Sequence, residues 1–294
     1  PADQRDRLAG IVELHAGKAG LEAGALHVES DRALGNAGIG PFLGRADVDE
    51  DEAAGLRGLM RLADGERGSG RLGVAVLDTA SGAAWQWRGA ERFPMCSTFK
   101  FLLAAQALHA AEQGKGSLDA RIRYKRSALV PNTPATGPHA DGAGMTVREL
   151  CEATVSLSDN TAANLLLARL GGPAGFTRYL RGLGDTVTRL DRIEPAMSEC
   201  KPGDVRDTTS PLAMLSSLQK VTLGNAITPA SCQQLLEWLL NCKTGDHSLR
   251  AGASGWKVAN KTGAGPGTRN DVGLLWRPGT QAAPLLVSSF LTGS

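Results

Sequence analysis

The sequence predicts an α/β plus all-α architecture. Segments with strand periodicity lie on either side of a long helical middle, and no internal repeat is visible. A sheet assembled from separated stretches of chain, with a helical domain inserted between them, follows from that order. The strand segments come first. "RLGVAVLDTASGAAWQWRG" reads as a hairpin: Leu72, Val74 and Val76 alternate before a turn at Ser81-Gly82, and Trp85 and Trp87 alternate after it. From Thr98 to about Gln113 the pattern is helical and almost wholly apolar, the mark of a buried helix. Residues 146–170 and 210–242 predict further helices, residues 184–209 a long irregular stretch, and 254–263, 270–276 and 284–291 the returning strands. The Gly-rich stretch before residue 47 lacks periodicity and reads as a linker; "GIGPFLG" within it has neither a strand before it nor a helix after it, so it does not read as a phosphate loop.

Bulk numbers remove several function classes. The chain has 294 residues, 42% hydrophobic and 21% charged, with a net charge of +2. That charge is too small, and its Lys and Arg too dispersed, for a nucleic-acid or membrane-surface protein. No apolar run is long enough to span a bilayer. The first Met is Met60 and no signal peptide is visible, so the start reads as processed or man-made. The five cysteines, Cys96, Cys151, Cys200, Cys232 and Cys242, form no tight spacing. Cys232 and Cys242 read as members of one helix, about 15 Å apart along its axis, too far to bridge. Neither a disulfide framework, nor a metal site, nor any cofactor is predicted.

The chemistry begins at "CSTFK". Ser97 and Lys100 stand one helical turn apart at a helix start. A serine hydroxyl is a weak nucleophile until a base takes its proton, and a lysine can serve if burial lowers its pKa. The helix start adds backbone N–H groups for an oxyanion. An SxxK is expected by chance in a chain of this length; what singles this one out is its apolar setting, where a lone lysine needs a partner. "SDN" places Ser158 and Asn160 at the start of another helix, and "KTG" places Lys261, Thr262 and Gly263 at the end of strand 254–263.

These three motifs, in this order and on these elements, resemble the serine β-lactamases and penicillin-binding proteins. "TRLDRIEPAMSECKPGDVRDTTSP" is more specific and is similar to the class A omega loop, with Glu194 in the place of the deacylating carboxylate. The resemblance covers about residues 48–294. It implies a β-lactamase/D,D-peptidase-like fold, an antiparallel five-stranded sheet flanked by helices with the inserted helical domain. It implies domains at 48–92 and 248–294 (α/β) and at 93–247 (helical, with the omega loop at 189–207).

The resemblance also implies roles. Ser97 attacks the lactam carbonyl, with the N–H groups of Ser97 and Ala264 as oxyanion donors. Lys100 relays the proton, alone or with Glu194 acting through a water. Ser158 protonates the departing nitrogen, and Asn160 binds the acylamide side chain. Lys261, Thr262 and Arg269 receive the substrate carboxylate; Arg269 follows a one-residue shortening. Arg192 and Asp207 form an ion pair at the neck of the omega loop, and Glu194–Pro195 is a cis bond. Ser198 stands where most members have an asparagine near the deacylating water. In the disulfide-bearing carbapenemases the position of Cys96 pairs with the one held here by Gly265, and in some members of the family the position of Cys151 pairs with the one held here by Ala104; both thiols are therefore expected free. The partners implied are β-lactam antibiotics, with no cofactor, and the location a bacterial periplasm or the exterior. A monomer is implied, with exchange of the first helix between chains conceivable. A D,D-peptidase, which lacks the omega-loop glutamate, and a receptor that stays acylated remain the alternatives.

One more expectation concerns the start of the chain. Leu8, Ile11, Val12 and His15 fall on one helical stripe in "PADQRDRLAGIVELHAG". "FLTGS" followed by "PADQRDRLAGIVELHA" resembles an uninterrupted class A C-terminus. A circular permutant is expected, with residues 1–16 as the old C-terminal helix and residues 17–47 as a linker to the old first helix near 48–64. About 30 residues span up to ~100 Å, more than enough. The competing reading is an unrelated N-terminal extension.

Overall fold

The structure is a computed structural model and describes residues 70–279 and 283–293. The expectations for residues 1–16, 17–47 and 48–64 fall outside the described residues. Nine strands and seven α-helices follow one another within the described residues. The hairpin predicted around Ser81-Gly82 is present: β1 (Arg71–Asp78) pairs with β2 (Ala84–Trp87), Val74 opposite Trp87 and Val76 opposite Trp85. Gly82 takes φ 78 in the turn, a conformation that favours glycine.

The returning strands are β7 (Lys257–Gly265), β8 (Thr268–Trp276) and β9 (Leu285–Thr292). Together they make one five-stranded sheet in the order β2-β1-β9-β8-β7, every neighbour antiparallel. Strand β7 starts at Lys257, three residues later than the sequence suggests, and runs past the KTG motif to Gly265. The short pieces β3 (Phe93–Pro94), β4 (Arg121–Ile122), β5 (Met145–Thr146) and β6 (Thr208–Thr209) pair off as two small ribbons, β3 with β6 and β4 with β5.

The buried helix does not begin at Thr98. Residues Cys96–Phe99 form a 3-10 turn, and α1 (Lys100–Glu112) follows it. Every residue of α1 from Lys100 to Leu108 is buried, as its apolar sequence demands. Around it pack α2 (Val147–Ser156), α3 (Asn160–Arg169), α4 (Gly172–Gly182), α5 (Pro211–Thr222) and α6 (Pro229–Leu240). Their starts are written locally: Thr146 and Glu149 form a capping box on α2, while Asp159, Ser210 and Thr228 cap α3, α5 and α6. The last helix, α7 (Leu249–Gly252), is a single turn. Cys242 lies beyond the end of α6 at Leu240, so Cys232 and Cys242 do not share a helix.

The sheet has two apolar faces. Ala75, Leu77, Val272, Leu274, Leu286 and Phe290 join the helices in the main core. Leu72, Val74, Val76, Leu285, Val287 and Leu291 form a second cluster with Leu249 and Val258, on which Trp85, Trp87 and Trp256 pack. Both faces of β1 and β9 are therefore apolar, which explains their near-continuous hydrophobic runs. Among the described residues no helix is long and apolar enough to cross a membrane.

Candidate active site

Three separated stretches meet where the 3-10 turn touches β7. Gly263 is the reason they can. A Cβ on it would stand 2.8 Å from the Met95 carbonyl oxygen and 3.1 Å from Thr98 N. Only a residue without a side chain lets the strand lie this close to the turn that carries Ser97. Cys96 holds φ 44 and Ser158 φ 57, so the backbone is left-handed just before the serine of SxxK and at the serine of SDN. Strained backbone of this kind marks sites whose geometry is over-determined by their surroundings.

The side chains form one connected network. Ser97 is half-buried, and its Oγ donates to Glu194 Oε1 at 3.3 Å. The same carboxylate oxygen lies 3.2 Å from Lys100 Nζ. Lys100, with no exposure, also donates to the Ser158 carbonyl (2.9 Å), Ser158 Oγ (3.4 Å) and Asn160 Oδ1 (2.5 Å). Lys261, equally buried, donates to Ser158 Oγ at 3.1 Å and to the Thr262 carbonyl at 2.8 Å. Ser158 thus sits between two ammonium groups. The sequence-derived demand that a lysine in an apolar helix have a partner is met by Glu194, whose charge offsets part of a large desolvation cost.

Burial drives Lys100 below the ordinary lysine range, opposed by the Glu194 carboxylate. Burial likewise brings Lys261 down to about 8. Both shifts have the cause expected for a cation taken out of water.

Glu194 is held from two sides. Its other oxygen accepts from Ser198 Oγ at 3.2 Å, so the short serine side chain does reach the carboxylate. Its backbone is clamped by Asn164, whose Nδ2 donates to the Glu194 carbonyl (2.9 Å) and whose Oδ1 accepts from Glu194 N (3.0 Å). Glu194–Pro195 is cis. At the neck of this loop Arg192 Nε pairs with Asp207 Oδ2 at 2.6 Å, and the N–H groups of Asp191 and Arg192 donate to Asp207 Oδ1.

The remaining positions line the edge of β7. Thr262 Oγ1 is 2.6 Å from Thr244 Oγ1. Ala264 is exposed and pairs across the ladder with Arg269, also exposed, near the start of β8. Asn160 Nδ2 donates to the Pro131 carbonyl, and Asn132 Nδ2 to the Ser158 carbonyl. Asp159 accepts from Thr136 Oγ1 and from the N–H groups of Ala135, Thr136 and Ala162, pinning the SDN loop.

Asn132, Asn164 and Thr244 are absent from the sequence-derived set. Asn164 stands out in the sequence only as a polar residue within "AANLLL", one helical turn after Asn160, and nothing local there names its partner. The cysteines are free thiols, as expected for Cys96 and Cys151, but Cys96 Sγ lies 3.3 Å from Cys200 Sγ.

A half-buried hydroxyl and a buried lysine that both meet one oxygen of a buried carboxylate are the arrangement that acyl transfer of the serine–lysine kind calls for. Comparisons agree. The model of the β-lactamase enzyme family matches residues 58–293. β-Lactamase L2 of Stenotrophomonas maltophilia is 49% identical over 224 residues, 76% of this chain and 73% of that protein. The carbapenem-hydrolyzing β-lactamase KPC of Klebsiella oxytoca is 47% identical over 224 residues, 75% of each. An ancestral class A β-lactamase reconstructed for Gram-negative bacteria superposes with a TM-score of 0.75 at 57% identity, over 78% of this chain and 88% of that one. The chain belongs to the β-lactamase enzyme family.

Proposed function

We propose that this class A serine β-lactamase opens the lactam ring with Ser97 and clears the acyl-enzyme with Glu194. The observation that carries the assignment is the shared carboxylate: Glu194 Oε1 lies 3.3 Å from Ser97 Oγ and 3.2 Å from Lys100 Nζ. A D,D-peptidase has no omega-loop carboxylate in that place, and it is the feature that adds a second, hydrolytic step.

In acylation Ser97 Oγ forms a bond to the lactam carbonyl carbon while its proton passes to Lys100 or, through a water, to Glu194. The N–H groups of Ser97 and Ala264 take the oxyanion. As the C–N bond breaks, Ser158 Oγ gives its proton to the ring nitrogen, and the ammonium groups of Lys100 and Lys261 beside it favour that transfer. Lys261, Thr262 and Arg269 bind the substrate carboxylate, and Asn160 its acylamide arm. In deacylation Glu194 takes a proton from water, with Ser198 Oγ on its other oxygen. The hydroxide attacks the ester carbon and Ser97 leaves with a proton returned to it. The substrates are β-lactam antibiotics, no cofactor is used, and the setting is a bacterial periplasm or the exterior, where the protein acts as a monomer.

Ser97→Ala tests the nucleophile. Intact-mass spectrometry after mixing with benzylpenicillin is expected to show no adduct on this variant; an adduct would remove the assignment.

We also propose that the chain is circularly permuted, residues 1–16 packing as a helix on the sheet face made by Leu72, Val74, Val76, Leu285, Val287 and Leu291. Their apolar stripe and that apolar face support it, and the α/β domain then comprises 48–92 and 248–294, with 93–247 as its helical insertion. Deleting residues 1–16 is expected to lower Tm by several degrees, since burying three aliphatic side chains contributes roughly 5 kcal/mol. An unchanged Tm would contradict the packing.

A further inference from the structure

We propose that Cys96 and Cys200 are a redox pair, which an external disulfide converts into a cross-link between the nucleophile turn and the omega loop. Cys96 is the residue before Ser97, fully buried. Cys200 lies six residues after Glu194 and is half-buried. Their sulfurs stand 3.3 Å apart in hydrogen-bond contact across 104 residues of chain. A disulfide needs about 2.05 Å, so the two side chains together must close by roughly 1.2 Å.

Gly265 shows why the pairing takes this form. The position across from Cys96 on β7 carries no side chain, and a Cβ there would meet Cys200 Sγ at 2.6 Å, the Ser198 carbonyl at 2.7 Å and Cys96 Sγ at 3.2 Å. The Cys200 thiol occupies the space that a residue at 265 would fill. The omega loop, not the strand, therefore supplies the second sulfur.

The two thiols are unequal in the way exchange chemistry requires. A hydrogen bond from Cys96 brings the Cys200 thiol down to about 7, against the opposing effect of burial. Cys96 is pushed up by the same hydrogen bond and by burial. Cys200 is thus the more acidic and more accessible sulfur, the attributes of an attacking thiol. By contrast Cys151, fully buried on α2, is pushed up to about 12.

The step balances as thiol–disulfide exchange. The Cys200 thiolate attacks one sulfur of a small disulfide RSSR, forming Cys200–S–S–R and releasing RS⁻. Cys96 then loses its proton and attacks the Cys200 sulfur, forming the Cys96–Cys200 bond and expelling the second RS⁻. Two cysteine thiols are oxidised, one RSSR is reduced, and two RSH leave with the two protons. The cross-link does not depend on which substrate the site hydrolyses.

The test uses the whole protein and oxidised glutathione. Reduced protein, denatured and treated with N-ethylmaleimide, is expected to take five labels, one for each cysteine. After glutathione disulfide it is expected to take three, with a peptide joining Cys96 to Cys200. Its Tm is expected to rise by roughly 5 °C or more, because a loop of this length is closed. Cys200→Ser is expected to lose the cross-linked peptide and the rise in Tm together. Five labels after oxidation, glutathione left on Cys200 as a mixed disulfide, a cross-link between other cysteines, or an unchanged Tm would each overturn the proposal.

Discussion

Two lysines without exposure frame one serine, and their protonation decides what that serine can do. Lys261 donates to Ser158 Oγ at 3.1 Å and faces the place assigned to the substrate carboxylate. Burial brings its pKa down to about 8. A lysine is cationic below its pKa, so lowering that value moves the loss of its charge from the alkaline extreme into the range around pH 8. The rate constant kcat/KM is therefore expected to fall as pH rises through about 8. In Lys261→Arg, whose guanidinium does not deprotonate in this range, the descending limb is expected to move upward. A pH–rate profile measures both, and an alkaline limb unmoved in Lys261→Arg would assign it to another group. At this scale the sequence was informative because chemistry travels in motifs. SxxK, SDN and KTG named Ser97, Lys100, Ser158 and Lys261 as candidates before any geometry, and the structure brings them together. Asn164 escaped because its contribution is a clamp on a distant backbone, and nothing local in the sequence announces a partner thirty residues away.

The elements matter through how closely they approach one another. Strand β7 reaches the 3-10 turn only because Gly263 has no side chain. Gly263→Ala is expected to push the strand back by several tenths of an ångström and to carry the Ala264 N–H with it. Misplacement on the order of 1 Å costs ~10²-fold, so kcat/KM is expected to drop by roughly one to two orders of magnitude, read by steady-state hydrolysis. A variant with parental kcat/KM would show that the close approach is not needed. Element boundaries were also where sequence reasoning fell short. Periodicity alone could not separate a 3-10 turn from the helix it leads into, so the start at Thr98 moved to Lys100. Helix α4 was missed because Gly172, Pro173 and Gly175 crowd its first turn, residues with the lowest helix propensity. Gly175 is there for packing: a Cβ on it would stand 2.2 Å from the Leu170 carbonyl oxygen. The two-residue strands β3 to β6 are too short to carry any periodic signal.

At the scale of the molecule the site is a seam. Ser97 comes from the 3-10 turn and Lys100 from the first residue of the buried helix α1, Ser158 and Asn160 from the entry to α3, Glu194 from the omega loop, and Lys261 from the sheet. The order of sheet and helical segments was legible because β1 and β9, apolar on both faces, read as strands, and α1, apolar all round, as a buried helix. The meeting of Cys96 with Cys200 was not legible, since residues 104 apart in sequence are joined only by the fold. That a carboxylate from one loop closes over a serine and a lysine from another element is the centre of the account. Its most direct test is an intact-mass time course with benzylpenicillin on the parent and on Glu194→Ala. The parent is expected to turn over with at most a transient adduct. Glu194→Ala, stripped of its water-activating base, is expected to acylate on Ser97 and to deacylate ~10²–10⁴-fold more slowly, so the adduct persists. Parental hydrolysis by Glu194→Ala, or a lasting adduct on the parent, would contradict the account.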